Sequence, residues 1–314
     1  MSSHVFGPVP SRRLGRSLGV DLVPFKTCTY DCIYCQLGAT TCKTLERREW
    51  VPLDDVLEDV KNALNTRPDI ITLSGSGEPT LHSGLGELIG GIKGLTDVPV
   101  GVLTNGSLLS VPEVRAGLMG ADLVVPSLDA GDERLFRRVN RPHEDIVFGR
   151  MVDGLVAFRE EYRGGYWLEV LLLGGMTAAP AEVERIAEIA RRIDPDCVHL
   201  NTATRPPADA SAVPVPRADL EQFAAAFGGR ATVIADHPDV APQGDFAARR
   251  DDVLNLLRRR PCTVADMAGS LGLHRNEVVK YVEELVGEGL VKALTSGGRV
   301  YYGAIGHGPD PDIP

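Results

Sequence analysis

Three cysteines, Cys28, Cys32 and Cys35, fall within eight residues of the stretch "PFKTCTYDCIYCQLG" (24–38), in a C-x3-C-x2-C spacing. The 314-residue chain has six cysteines in all: Cys42 follows seven residues after Cys35, and Cys197 and Cys262 stand alone. Thiolates are soft ligands that select iron–sulfur clusters or zinc. A [4Fe-4S] cube takes four ligands. Three local thiolates therefore hold three irons and leave the fourth open to a substrate or cofactor, much as catalytic zinc sites keep an open position. Cys42 is the alternative fourth ligand. A structural zinc site is the other reading, since zinc prefers four closed ligands, often as two separated pairs. No further Cys-x2-Cys or spaced His pair lies downstream.

A second group of candidates ends the apolar runs that follow. "SGSGEPTL" (74–81) contains Gly77, Glu78 and Pro79. A carboxylate there can pair with an ammonium group while glycine lets the backbone come close; the plainer alternative is a tight strand-to-helix turn. "TNG" (104–106) supplies Thr104 and Asn105, and "SLDA" (127–130) supplies Ser127 and Asp129. The latter pair can equally be a loop start and a helix cap. Asn140 and Arg141 precede Pro142, which also suits a helix stop. Glu169 lies inside the apolar run "WLEVLLL", where a carboxylate must face a cavity or pair with a cation. His199 and Asn201 alternate on a later run, and Arg205 ends it; each either faces a substrate or completes the core and surface. "PSRRLGRS" (10–17) holds three arginines that can bind phosphate or form a solvated basic turn.

The elements that must position these residues alternate. Strands are expected at 18–25, 70–75, 99–106, 121–129, 167–175 and 197–204, with helical patterns between them, such as 53–64 and 181–193. Six strand-then-helix units argue for an α/β fold on a parallel sheet. "RPPADASAVPVP" (205–216) and "PDVAPQGD" (238–245) break the pattern. Three helices at 248–261, 263–272 and 274–289 and a hairpin at 290–303, turning at Gly297–Gly298, follow in the order of a winged helix. The expected organisation is a barrel-type domain at 1–236, a linker at 237–247, a winged-helix domain at 248–304 and a loose tail at 305–314.

With 43% apolar residues the chain can build a sizeable core. Net charge is −10, so there is no global attraction to nucleic acid or anionic membrane. No apolar run reaches the length of a membrane span and no secretory signal opens the chain. The expected location is cytoplasmic, where cysteines stay reduced and a tight cluster reads as metal binding rather than disulfides. The segment 248–303 holds nine Lys/Arg against seven Asp/Glu, a mild bias toward nucleic acid. Its third helix carries four glutamates that phosphates would repel, which favours a lid or docking module instead.

"CTYDCIYC" resembles the signature of the radical S-adenosylmethionine (SAM) enzymes, including the aromatic Tyr34 before the last cysteine. Gly77-Glu78-Pro79 resembles the family's Gly-Gly-Glu-Pro segment, with Ser76 in place of the first glycine. The likeness covers about residues 5–230 and implies a partial (β/α)6, TIM-like barrel whose strand ends carry the site. It implies Cys28, Cys32 and Cys35 as the ligands of a [4Fe-4S] cluster and Tyr34 packed near the adenine of SAM. Gly77, Glu78 and Pro79 would hold the methionyl amino group. Thr104, Asn105, Ser127, Asp129 and Asn140 would contact the ribose and carboxylate. The resemblance further implies an electron donor such as flavodoxin or ferredoxin, reductive cleavage of SAM to methionine and a 5′-deoxyadenosyl radical, and hydrogen abstraction from a small molecule or peptide. A tRNA- or RNA-modifying enzyme with the winged helix as docking arm is the alternative. The barrel is somewhat similar to the tRNA wybutosine-synthesis branch, whose extra N-terminal cysteines are absent here. An iron–sulfur transcriptional regulator is the remaining alternative.

Overall fold

A computed structural model describes residues 4–11, 13–235, 250–273, 275–296 and 298–305. The expected linker, Gly297 of the hairpin turn and all of the expected tail except Ile305 lie outside the described residues.

The chain begins with an antiparallel pair, β1 (Val5–Ser11) and β2 (Gly15–Val20). Two short strands follow, β3 (Thr27–Cys28) and β4 (Cys42–Lys43). Regular alternation then sets in: α1 (Leu53–Ala63), β5 (Ile70–Leu73), α2 (Leu85–Leu95), β6 (Val100–Thr104), α3 (Pro112–Leu118) and β7 (Leu123–Pro126). Next come α4 (Glu133–Val139), α5 (Phe148–Glu161), β8 (Gly165–Leu171), α6 (Pro180–Ile193), β9 (Cys197–Asn201), α7 (Arg217–Ala224) and β10 (Ala231–Val233). The C-terminal part comprises α8 (Arg250–Arg259), α9 (Val264–Leu271), α10 (Arg275–Gly287) and the hairpin β11 (Val291–Ser296)–β12 (Arg299–Ala304).

One eight-stranded sheet runs β1-β2-β5-β6-β7-β8-β9-β10, parallel throughout except at β1. It is the wall of a partial TIM-like barrel. Side chains alternate across a strand. Leu18, Val20, Ile71, Leu73, Leu168, Val170, Val198 and Leu200 are buried in the main apolar core. The intervening residues Ser17, Gly19, Thr72, Glu169, Leu171 and Asn201 line a cavity instead. Ser17 Oγ and Thr72 Oγ1 share a hydrogen bond at 2.5 Å on that inner face.

Three boundaries differ from the sequence expectation. The first parallel strand ends at Val20 rather than at residue 25, because Asp21 turns away to accept from Ser76 N at 2.7 Å. A further parallel strand, β10, adds to the six expected; at three residues it is too short to show a period. The edge strand β1 contains Gly7, Pro8 and Pro10, a composition that argues against a strand except at a sheet edge, where it sits.

The C-terminal helices form a second apolar cluster around Val253, Leu257, Met267, Val278 and Leu285, and Val9 of β1 belongs to it. Thr263 and Asp266 close a capping box at the start of α9, at 3.1 and 3.0 Å. The module is pinned to the barrel by an ion pair between Arg259 and Asp21. Arg259 also stacks over the Phe6 ring at 4.0 Å, and Tyr301 OH donates to Thr204 O at 2.7 Å.

Candidate active site

The cysteine segment leaves the C-terminal end of β2 and is stitched to the turn after β5 and to the end of α4. Lys26 N donates to Ser76 O at 2.7 Å and Glu78 N donates to Thr27 O at 3.1 Å, which joins it to the turn after β5. Asp31 N donates to Asn140 O at 3.0 Å and Ile33 N to Val139 O at 2.9 Å, which joins it to the end of α4. Gly77 is what permits the first junction. A Cβ there would lie 1.8 Å from the Thr27 carbonyl oxygen, next to Cys28.

Cys28, Cys32 and Cys35 are half-buried, whereas Cys42 is exposed. Each of the three sulfurs has its own nitrogen donor. Asn105 Nδ2 points to Cys28 Sγ at 3.6 Å, Asn140 Nδ2 to Cys32 Sγ at 3.5 Å and Lys26 Nζ to Cys35 Sγ at 3.2 Å. Cys197 opens β9 at the strand-start side of the sheet, and Cys262 is buried in the C-terminal cluster.

Glu78 joins two strand-end turns. Its Oε1 accepts from Thr80 N at 3.1 Å, Thr80 Oγ1 at 2.6 Å and Thr104 Oγ1 at 2.6 Å, and its Oε2 accepts from Asn105 N at 2.7 Å. Burial raises its pKa, and those donors oppose the rise. The carboxylate of Glu78 thus holds the turns after β5 and β6 together, with one hydrogen bond to Oε2 and three to Oε1. Asn105, so fixed, also donates to Thr29 Oγ1 at 2.7 Å. Pro79 opens the single helical turn at 79–81 that Glu78 caps.

Asp129 organises the other side. Tyr34 OH donates to its Oδ2, Asn140 Nδ2 donates to the same oxygen at 2.7 Å, and Leu171 N donates to Oδ1 at 3.0 Å. Burial pushes Asp129 up to about 6 against those three donors. The cap of α4 is Asp132, so neither Ser127 nor Asp129 serves as that cap. Asn140 is indeed the C-cap of α4, and its side chain also joins Asp129 to Cys32. Ser127 is half-buried at the end of β7, bridged through its backbone to Glu169. Arg141 turns outward to Asp209 at 2.5 Å.

Cys35 and Tyr34 line a cavity of about 440 Å³ inside the barrel. Glu169 lies in its wall, paired with Arg13 at 2.5 Å and accepting from Asn201 Nδ2 at 3.0 Å. Leu256, Arg259 and Arg260 of the C-terminal module complete the lining. A wider cleft of about 660 Å³ opens near the start of β8, and none of the candidate residues lines it.

Residues 22–190 match the family described as "Radical SAM superfamily". The chain belongs to the radical SAM superfamily. A UPF0026 protein of Helicobacter pylori (strain ATCC 700392 / 26695) is 35% identical over 304 residues, covering 95% of this chain and 96% of that one. The UPF0026 protein MJ1312 of Methanocaldococcus jannaschii is 38% identical over 208 residues, covering 65% of this chain and 64% of its own length. A protein of Brachyspira hyodysenteriae named "GTPase Obg" is 39% identical over 306 residues; the match takes in 96% of this chain but only 45% of that longer protein. A GTPase phosphate-binding loop needs a Gly-Lys step, and this sequence has none. Among solved structures, a radical SAM methyltransferase from Sphaerobacter thermophilus superimposes with a TM-score of 0.54 at 17% identity, over 69% of this chain and 66% of that one, a likeness of fold.

Radical SAM enzymes use a [4Fe-4S] cluster, SAM and an electron donor. The donor set of this radical SAM chain fits such a cluster. Burial, followed by the charge of Glu78, pushes the Cys28 thiol up to about 12, and burial with Asp129 pushes Cys32 well above its ordinary value. Thiolates in such surroundings need a cationic centre to balance them, which iron supplies. Among the described residues no group of three His, Cys, Asp or Glu converges to hold a metal ion; a cube needs no such convergence, since each thiolate takes a different iron. Lys26 and Thr29 were not singled out from sequence. Their signal was present in hindsight: both lie within two residues of Cys28, and Lys26 is a buried lysine at positive φ, 61°.

Proposed function

We propose that this enzyme cleaves SAM reductively on its cluster and uses the resulting 5′-deoxyadenosyl radical to take a hydrogen atom from a small molecule held in the barrel cavity. Cys28, Cys32 and Cys35 are the ligands in this reading. Lys26, Asn105 and Asn140 donate to their sulfurs, which favours the reduced cluster. Tyr34, held by Asp129, offers its ring beside Cys35 for the adenine. The turn at Gly77–Pro79 meets the methionyl end through its backbone, with Glu78 keeping Thr104 and Asn105 in position. Ser127, Asp129 and Asn140 are assigned to the ribose and carboxylate.

The observation that carries this reading is three sulfurs, each with a separate nitrogen donor, on a loop whose Cys35 lines a partly open cavity. A flavodoxin- or ferredoxin-type protein is the electron donor and the cytoplasm the setting that suit a reduced thiolate cluster. The C-terminal helices and hairpin act as a winged-helix-like lid. That role is preferred to an RNA-docking arm or a DNA-reading head because α8 lines the cavity and α10 carries Glu277, Glu283 and Glu284. The test is anaerobic reconstitution followed by SAM and dithionite. Formation of 5′-deoxyadenosine is expected; an intact [4Fe-4S] cluster that binds SAM and yields none defeats the proposal.

A further inference from the structure

The ion pair that pins the C-terminal module to the barrel ends on a residue with a second task. Asp21 is buried and divides its two carboxylate oxygens. Oδ2 takes the guanidinium of Arg259, the last residue of α8, and Oδ1 accepts from Ser76 N at 2.7 Å. Ser76 in turn gives its carbonyl to Lys26 N at 2.7 Å, two residues before Cys28. Ser76 thus stands between the anchor of the module and the cysteine segment, and the turn at Gly77–Pro79 follows it directly. Gly75 permits the approach: its φ is +123°, and a Cβ there would collide with Asp21 Oδ1. The Arg259 guanidinium is also stacked over the Phe6 ring of β1 at 4.0 Å, and Phe6 lies on Gly19 of β2, where a Cβ would collide with the ring. A planar guanidinium can pair with a carboxylate and stack on a ring at once, which a lysine ammonium does less well.

A buried carboxylate is costly unless a cation and hydrogen-bond donors meet it. With α8 seated, Asp21 has both and holds the Ser76 N–H. With α8 displaced, the carboxylate loses that guanidinium, and turning toward water relieves the cost at the expense of the bond to Ser76. The position of the turn that starts at Gly75 therefore depends on the seating of α8. Linkage of this kind is reciprocal: whatever factor the seated module adds to SAM affinity, SAM adds to the seating of the module.

We propose that Asp21 and Arg259 are positioning residues that couple closure of the C-terminal module over the cavity to occupancy of the SAM-binding turn. Arg259 acts through Asp21, and Asp21 acts through Ser76. This deepens the lid role given above and rests on the reading of Gly77–Pro79 as the turn that meets SAM.

The test is hydrogen–deuterium exchange in α8 of the reconstituted full-length protein, with and without SAM, together with the calorimetric Kd for SAM. SAM should slow exchange in α8 of the unaltered protein. Asp21→Asn keeps an oxygen for Ser76 N but ends the ion pair, and it should abolish the slowing; protection by direct contact between SAM and α8 would survive it. Arg259→Gln should raise the Kd for SAM about fivefold, the lower end of ordinary coupling, and Arg259→Lys should raise it less. Both substitutions cut one link, so the double variant should be no worse than either single one. Arg258→Gln is the control, exposed on α8 and outside the cavity lining, and should change nothing. SAM binding to the unaltered protein with no slowing in α8 overturns the proposal without recourse to any variant. So do effects that multiply in the double variant, and so does equal weakening by Arg258→Gln and Arg259→Gln. The same preparations are assayed for 5′-deoxyadenosine. Slowing in α8 without cleavage would defeat the proposed function and leave the coupling standing; cleavage without slowing would do the reverse.

Discussion

Replacing Glu78 by glutamine separates two roles for this residue. If its carboxylate served an incoming ammonium group, the protein without cofactor would hardly notice the change. In the structure the carboxylate accepts four hydrogen bonds from Thr80, Thr104 and Asn105, and it is 2% exposed. Glutamine keeps one oxygen. Placed at Oε1 that oxygen preserves three of the bonds, and the new NH2 group then faces the Asn105 N–H, donor against donor. A lost hydrogen bond to a charged group costs about 1.5–3 kcal/mol, and a stranded buried donor about 1–3 kcal/mol. Relief from burying a charge offsets part of this, leaving a loss of about 2 kcal/mol. For a chain of this size that corresponds to a fall in Tm of roughly 3 °C. Thermal unfolding of the cofactor-free protein is the assay, with iron content after reconstitution as the second readout, since Asn105 also reaches Cys28. An unchanged Tm in the cofactor-free variant, with only SAM affinity reduced, would refute the structural role of Glu78.

Four other outcomes follow from the same geometry. Gly77→Ala forces a Cβ to within 1.8 Å of Thr27 O, and should destabilise the protein by about 1–3 kcal/mol and lower iron content. Gly94→Ala in α2, where nothing lies within 4 Å of the added carbon, should be neutral or stabilising by up to about 1 kcal/mol in denaturant unfolding. Lys26→Met removes the cationic donor to Cys35 Sγ, and should move the reconstituted cluster to a more negative potential by on the order of 60 mV, a tenfold effect for one electron; an unshifted redox titration would contradict it. Burial, then the charge of Arg13, pushes His199 down to about 4. The unfolded chain therefore takes up a proton between pH 6.5 and 4 that the native state refuses. Stability is full above pH 6.5 and falls as pH drops through that window. His199→Gln should flatten this fall by on the order of 1–2 kcal/mol, discounted for partial solvent screening, as read from urea midpoints at pH 7 and 4.5.

The cysteine spacing was legible as a candidate metal site because metal affinity depends on sulfur softness and on ligands close in the chain. The alternation of Ser17, Leu18, Gly19 and Val20, like that of Leu168, Glu169 and Val170, was equally readable, because side-chain direction along a strand is a local property. Strand β1 escaped notice because its prolines and glycine argue against a strand unless an edge is available, and an edge is a feature of the whole sheet. Glu78 was visible as a functional-looking residue, but its partners were not. Thr104 and Asn105 lie 26 and 27 residues away along the chain and meet it only where strand ends converge.

The sequence alone determined a cluster of soft ligands at Cys28, Cys32 and Cys35, a parallel α/β sheet and a glycine-rich turn after the second motif-bearing strand. Each of these is set by neighbours within a few residues. Tertiary structure alone decided which donors reach the sulfurs, since Asn105 is 77 residues from Cys28 and Asn140 is 108 from Cys32. It alone brought Arg13, Arg205 and Arg260 to one cavity. Hydrogen bonds and charge pairs act over a few ångströms of space, and no local pattern in the chain encodes which distant residues will be brought that close.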